Sequence, residues 1–267
     1  MSNRVSVIMG IYNCADTLSE AIDSILNQTF EDWKLIMCDD GSIDSTYEIA
    51  QSYKNRYPDK IVLLKNKKNI GLNSTLNRCL QQVETEYVAR MDGDDISLIN
   101  RFQEEVSFLD SNPSFSIVST PMIYFDDEGE WKRGRGTGEV NVNDVAKGTP
   151  FCHAPCMVRK GAYDSVGGYS EDKKWLRVED YNLWVKMLAK GYKGYVLENP
   201  LYMMRDDRNA KKRRKYKYRI NEARVKKMAI KELKLNKKNY VYACVPLVVG
   251  IMPAFVYNYL HKHKKRG

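Results

Sequence analysis

The run Asp92-Gly93-Asp94-Asp95 places three carboxylates within four residues. Ionised side by side, they repel one another unless a cation lies among them. Hard divalent ions such as Mg2+ and Mn2+ take carboxylate oxygens and keep positions open for phosphate, so the run is a candidate metal-diphosphate bridge. The same residues suit a plain acidic turn, with Asp95 capping a helix around residues 99–109. Asp39-Asp40-Gly41-Ser42 and Asn69-Ile70-Gly71-Leu72 are two further polar groups, for which turn formation alone is a sufficient account. Gathered on one sheet edge, they would instead outline a nucleoside pocket. There a carboxylate accepts the uracil imide proton and ribose hydroxyls, and Tyr12 supplies an aromatic wall.

The elements around these residues determine whether they meet. Residues 4–95 alternate strand and helix, the pattern of a mostly parallel sheet with helices on both faces. Val5–Ile11 reads as an apolar strand. Thr17-Leu18-Ser19-Glu20 reads as a capping box, opening a helix with Leu18, Ala21, Ile22, Ile25 and Leu26 on its apolar face. A second strand over residues 33–38 runs into Asp39, and a second capping box, Ser45-Thr46-Tyr47-Glu48, opens the next helix. A third strand covers residues 61–64. Leu72, Leu76, Cys79, Leu80 and Val83 then form one helical face, and residues 87–91 make a fourth strand ending at the acidic run. Both acidic groups thus fall at carboxyl ends of strands, where open parallel sheets bind ligands. After the first strand comes Gly10-Ile11-Tyr12-Asn13-Cys14, which is not a glycine-rich phosphate loop.

The second half is less regular. Strands are predicted over residues 115–124, 155–159, 195–197 and 201–204, with a hairpin or loop over 126–138. A helix over 179–190 carries Leu183, Trp184, Met187 and Leu188 on its apolar face, and Glu179-Asp180 puts negative charge in its first turn. His153 stands where it could touch an acceptor or a donor phosphate, or serve as a hydrogen-bonded structural histidine. Arg205 and Arg208 follow the last strand, placed either to clamp a diphosphate or to begin the basic surface.

Composition narrows the classes. With 267 residues, 43% hydrophobic and 29% charged, the chain is too apolar for disorder and too polar for a multi-span membrane protein. Six unpaired-looking cysteines argue against a disulfide framework, and Cys152, Cys156 and His153 are too few for structural zinc. Met1–Arg4 leads straight into a strand without a signal-peptide core, so the N-terminus is expected to be cytoplasmic. Charge is lopsided. Between Arg205 and Lys238 stand 16 Lys/Arg against four Asp/Glu, and the residues from His261 add four more positives, leaving −7 on the first 204 residues. Residues 240–260 carry no formal charge, contain Pro246 and Pro253, and have tyrosines at both ends. A kinked segment in or dipping into the membrane interface is expected, helped by the basic stretch 209–235 against anionic lipid. The alternative is a C-terminal helix packed on the body. No nucleic-acid partner is expected, since no binding motif accompanies the basic run.

In combination, Val-Ser-Val-Ile-Met-Gly-Ile-Tyr-Asn13, Ser-Ile-Leu-Asn-Gln-Thr-Phe30, Cys-Asp-Asp-Gly-Ser42, Asn-Ile-Gly71, Arg-Met-Asp-Gly-Asp-Asp95 and Glu-Asp-Tyr-Asn-Leu-Trp184 resemble the family 2 inverting glycosyltransferases over residues 4–205. The resemblance implies a GT-A fold, a nucleotide-sugar donor, usually a UDP-sugar, and Mn2+ or Mg2+. It puts Asp40 on the nucleotide base with Tyr12 and Asp39 nearby, and Asn69 and Gly71 in the same pocket. Asp92 and Asp94 match the Asp-x-Asp element, with Asp94 as the direct metal ligand and Arg90 steering the cluster. Asp180, beside Glu179, matches the catalytic base, which takes the proton of the acceptor hydroxyl as that oxygen attacks C1. The expected chain is an α/β GT-A domain over residues 1–205, with a nucleotide-binding half (1–95) and an acceptor half (96–205). Residues 206–267 form a helical, membrane-associating tail. The expected acceptor is a lipid-linked saccharide in surface polysaccharide synthesis, and the enzyme is expected to be peripheral or monotopic on the inner face of the cell membrane. Two rivals remain: a sugar-1-phosphate nucleotidyltransferase, and an inactive nucleotide-sugar-binding protein.

Overall fold

The computed structural model describes residues 3–206 and 215–252. The first half runs β1 (Val5–Ile11), α1 (Ala15–Leu26), β2 (Trp33–Asp39), α2 (Thr46–Arg56), β3 (Ile61–Lys65), α3 (Leu72–Leu80) and β4 (Tyr87–Arg90). Its four strands pair in parallel in the order β3-β2-β1-β4. The chain continues through β5 (Ile96–Ser97), α4 (Arg101–Ser111), β6 (Phe115–Ser119), β7 (Met122–Asp126), β8 (Gly129–Arg133), β9 (Gly138–Glu139), β10 (Met157–Arg159) and α5 (Lys160–Val166). Then come α6 (Glu179–Ala189), β11 (Lys193–Val196), β12 (Tyr202–Arg205), α7 (Tyr216–Glu232) and α8 (Tyr240–Ile251). The main sheet is extended by β10-β6-β11-β9, in which β10 and β9 run against the rest, so it is mixed but mostly parallel. A second sheet has the order β5-β12-β7-β8.

Alternation along the strands sends side chains to two cores, one on each sheet face. Val5, Val7, Met9 and Ile11 pack with Leu18, Ile22 and Ile25 of α1 and with Phe102, Val106 and Leu109 of α4. Ile8 of the same strand faces the other way, with Leu76 and Cys79 of α3 and Leu183, Trp184 and Met187 of α6. Both faces of the sheet are therefore covered, as the near-continuous apolar strands require.

Several local expectations are corrected. Neither capping box forms: Thr17 lies inside α1, its hydroxyl donating to the carbonyls of Cys14 and Gly93, and Ser45 caps α2 by position but not with its side chain. Asp44 does that work, accepting from the N–H groups of Thr46 and Ala15 and tying the two helix starts together. The strand expected over residues 115–124 is two strands in different sheets. Pro121 cannot donate to a ladder, and the Thr120 hydroxyl turns the chain by donating to Asn199 O and accepting from Leu201 N. The expected hairpin at 126–138 is β7-β8.

A fully buried ion pair supports α4. Arg101 and Glu105 are both 0% exposed, and the Arg101 guanidinium also donates to the carbonyls of Arg90, Ala154 and Cys156. Arg101→Met strands Glu105 in the core. We expect a loss of about 3–5 kcal/mol in urea unfolding, and a loss below 1 kcal/mol would show that the pair is not a support.

The basic stretch is less detached than its charge suggests. α7 buries Val225 and Ala229 against Val178, Tyr181, Val185 and Leu188 around α6, and Asn221 Nδ2 donates to Leu176 O at 3.1 Å. Ala243 of α8 packs with Ile230 and Ala146. The outer side of α8 leaves Val241, Val245, Val248 and Ile251 exposed. Among the described residues no helix is long and apolar enough to cross a membrane. Residues 253–260 of the uncharged segment, and residues 209–214 of the predicted basic helix, lie outside the described residues.

Candidate active site

The acidic run is a loop leaving the carboxyl end of β4. Arg90 is the last residue of β4, and Asp92 stands two residues on in the loop. The buried Arg90 guanidinium meets the two oxygens of Asp92 with two nitrogens, a bidentate pair that neutralises one of the three carboxylates. Gly93 makes the loop's close approach to α1 possible: a Cβ there would stand 2.9 Å from Cys14 Sγ, while its carbonyl accepts from Thr17 Oγ1 at 2.9 Å. Asp94 is exposed and makes no hydrogen bond through its carboxylate among the described residues. Crowding of that carboxyl by protein, and then the charge of Asp92, push its pKa up.

Asp95 does not cap α4, whose N-cap is Asn100, because β5 intervenes. It is buried and turned inward, accepting from Tyr202 OH at 2.9 Å and from Arg205 N at 2.8 Å. Burial, with Asp92 and Asp94 close by, raises its carboxyl to about 8. One ligand atom from each of Asp92, Asp94 and Asp95 lies within 4.8 Å of the others. All are hard oxygen donors, and the carboxyls of Asp94 and Asp95 are raised by burial first and then by neighbouring acidic charge, which a cation would offset. The set therefore fits Mg2+ or Mn2+, with Asp94 the least committed ligand.

The β1–α1, β2–α2 and β3–α3 loops form the adjoining rim. Ile43 N donates to Asn13 Oδ1 and Asn13 N to Ser42 Oγ, zipping the first two loops together. Asp39, fully buried, accepts from Ser42 N. Asp40 accepts from Asn66 Nδ2, Ile70 N and Gly71 N at 2.8–2.9 Å, and so fixes the loop that carries Asn69 and the start of α3. Gly41 lies against that loop, where a Cβ would come within 2.7 Å of the Lys68 carbonyl carbon. Tyr12 remains 46% exposed and Asn69 is exposed, so both face outward from this frame.

On the far side, Asp180 sits in the first turn of α6. Burial, and then neighbouring Glu179, raise its carboxyl to about 6, while the positive field of Arg90 opposes the rise. Glu179 Oε2 is buried without a hydrogen-bond partner. Burial, and then the charge of Arg90, hold the His153 imidazole well below its ordinary pKa. The His153 Nε2 is engaged with Tyr169 OH at 2.8 Å, the arrangement of a structural histidine. Arg205 lies at the acidic loop, donating to Asp94 O and pairing with Glu20 at 2.6 Å, so its guanidinium is tied to the loop. Arg208 lies outside the described residues. Tyr202 escapes notice in the sequence, since it reaches the loop from a distant segment, and Thr17 and Glu20, read there only as a capping box, meet the loop through Gly93 O and Arg205.

A mixed, mostly parallel sheet with an acidic loop at one strand end, and a second sheet that meets that loop through Tyr202 and Arg205, is an α/β fold of the GT-A type. The family described as Glycosyl transferase family 2 matches residues 6–167, and the chain belongs to that family. EpsE of Bacillus subtilis (strain 168) is 42% identical over 98% of this chain and 94% of its own length. An Escherichia coli protein named UDP-Gal:alpha-D-GlcNAc-diphosphoundecaprenol beta-1,3-galactosyltransferase is 28% identical over 97% of this chain and 95% of its own. Among solved structures, the mannosyltransferase PcManGT from Pyrobaculum calidifontis, in complex with GDP-Man and Mn2+, superposes with a TM-score of 0.66. It is 17% identical, and the match covers 99% of this chain and 80% of that one.

Proposed function

We propose that this glycosyltransferase moves a sugar, with inversion, from a UDP-sugar to a hydroxyl of a lipid-linked saccharide in surface polysaccharide synthesis, using Mn2+ or Mg2+. The observation that carries the reading is the acidic trio at the end of β4, in which one ligand atom each of Asp92, Asp94 and Asp95 lies within 4.8 Å of the others while Arg90 grips Asp92. In this reading Asp180, in the first turn of α6, supplies the base for the donor held at that trio.

In this reading Tyr12, Asp39, Asp40, Asn69 and Gly71 hold the base and ribose. Arg90 keeps Asp92 aimed, and Asp94 presents the open carboxylate. Asp180 removes the proton of the acceptor hydroxyl as that oxygen bonds to C1. The C1–diphosphate bond breaks on the opposite face, and the anomeric configuration inverts. A bound divalent cation supplies charge compensation to the leaving diphosphate. The relative acting on a diphosphoundecaprenol acceptor with UDP-Gal supports the donor and acceptor class, and the Mn2+-bound structural neighbour supports the metal. Since that neighbour holds GDP-Man, the test is a panel of UDP-, TDP- and GDP-sugars with Mn2+, Mg2+ or EDTA. Nucleoside diphosphate release is read together with the anomeric configuration of the product. Metal-dependent UDP release with inversion is expected. UDP binding without turnover of any donor would favour a binding protein instead.

The same reading places the enzyme at the cytoplasmic face of the membrane. Support comes from the exposed stripe Val241, Val245, Val248 and Ile251 on α8, next to the cationic surface of α7. The double change Val245→Asp, Val248→Asp is expected to lower flotation with anionic vesicles at least several-fold and to leave turnover of a soluble acceptor unaltered. Undiminished flotation would count against α8 as the contact.

A further inference from the structure

We propose that Tyr202 is a positioning residue for the cation site, its hydroxyl setting the spread of Asp92 and Asp94 from behind the loop. The proposal rests on the reading of Asp92–Asp95 as a divalent-cation site. Tyr202 is fully buried, and its hydroxyl joins the two ends of the acidic run, accepting from Asp92 N at 3.2 Å and donating to Asp95 Oδ2 at 2.9 Å. The hydroxyl is itself held firmly in place. Tyr202 lies in β12 opposite Ser97 of β5 and Met122 of β7, and the Arg101 guanidinium sits 5.0 Å from its ring centre. Arg101 in turn is pinned by Glu105 and by the Arg90 carbonyl, at the start of the same loop. Arg205, three residues on, takes the other oxygen of Asp95 with its backbone N–H. Asp95 is thereby committed to protein, and the loop between its two anchors leaves Asp94 facing outward. A partner of this kind, one bond behind a ligand, typically accounts for 10–100-fold in metal affinity.

Phenylalanine fills the same volume, so Tyr202→Phe removes the hydroxyl alone. Mn2+ is titrated into the full chain with UDP present and read as protein-dependent loss of the free-ion EPR signal, with no turnover needed. Tyr202→Phe is expected to weaken Mn2+ uptake 10–100-fold. In assays its Mn2+ half-saturation should rise by the same factor, while kcat at saturating Mn2+ stays close to wild type. A role in stability alone would lower the melting temperature and leave Mn2+ affinity unmoved, and that result would overturn the proposal. Asp94→Asn is measured alongside. If it takes up Mn2+ as wild type does, or wild type takes up none, the cation reading itself fails. Loss in Asp94→Asn with wild-type uptake in Tyr202→Phe removes the positioning role alone. Should Tyr202→Phe not fold, Asp95→Asn breaks the same link from its other end, and the same 10–100-fold loss is expected. Unchanged affinity there also sinks the proposal.

Discussion

Asp180→Asn is expected to lower kcat by about 10²–10⁴, the contribution of a positioned general base, with UDP and Mn2+ binding retained. The substitution keeps the size of the side chain and the first turn of α6, and removes only the ability to take a proton. In the wild type the carboxyl is raised to about 6 by burial and by Glu179, and only its ionised form accepts a proton. Activity should therefore rise with pH through about 6, level off above it, and fall away as the solution is made more acidic. In Asp180→Asn the residual rate should lose that acidic limb. A variant within a few-fold of wild type, or one keeping the limb, would move the base elsewhere, with the unpartnered Glu179 as the first place to look.

Ending the chain after Asp206 should destroy activity even toward a soluble acceptor. Such a truncation removes α7 and uncovers Val178, Tyr181, Val185 and Leu188, the inner surface of the helix that bears Asp180. Val225 and Ile230 alone withdraw two well-buried side chains, at roughly 1.5–3 kcal/mol each, from a fold whose whole stability is about 5–15 kcal/mol. A melting temperature lower by roughly 10 °C or more follows. The bond from Asn221 to Leu176 is lost as well, four residues before the base. Ending the chain after Met252 instead leaves α7 and α8 in place, and should preserve turnover of a soluble acceptor. Full activity and an unchanged melting temperature in the chain ending at Asp206 would show that residues 1–206 suffice as a unit.

Much of the first half is legible because strand and helix periods are strong there. Continuous apolar runs such as Val5–Ile11 specify strands buried on both faces, and the acidic groups fall directly after them. Helix starts are read poorly, since a Ser/Thr-x-x-Glu pattern competes with nearby alternatives. Thr17 prefers the Gly93 carbonyl, and Asp44 serves two helices at once. The break at Thr120-Pro121 is visible as a proline, but its consequence, a change of sheet, depends on partners around residues 199–201. Within the site, Arg90 and Asp92 are two residues apart and pair directly, so their link can be read locally. The true partner of Asp95 cannot, because nothing near it in sequence announces Tyr202. The basic run shows the limit of charge as a guide: one side of α7 holds its cations in solvent while the other closes a core.

The acidic loop is held by bonds that span 107–111 residues, to Tyr202 and Arg205. Contacts of such separation are slow to close. A chain emerging from the ribosome has made all of β1–β4, with every proposed nucleotide contact, long before β12 exists. The half-made protein thus carries a nucleotide rim without a finished chelate. Competence for chemistry arrives late and together, once β12 docks and α7 seals α6. Ligand capture by this loop would then report completed synthesis, and bound donor would add its stabilisation only to finished molecules.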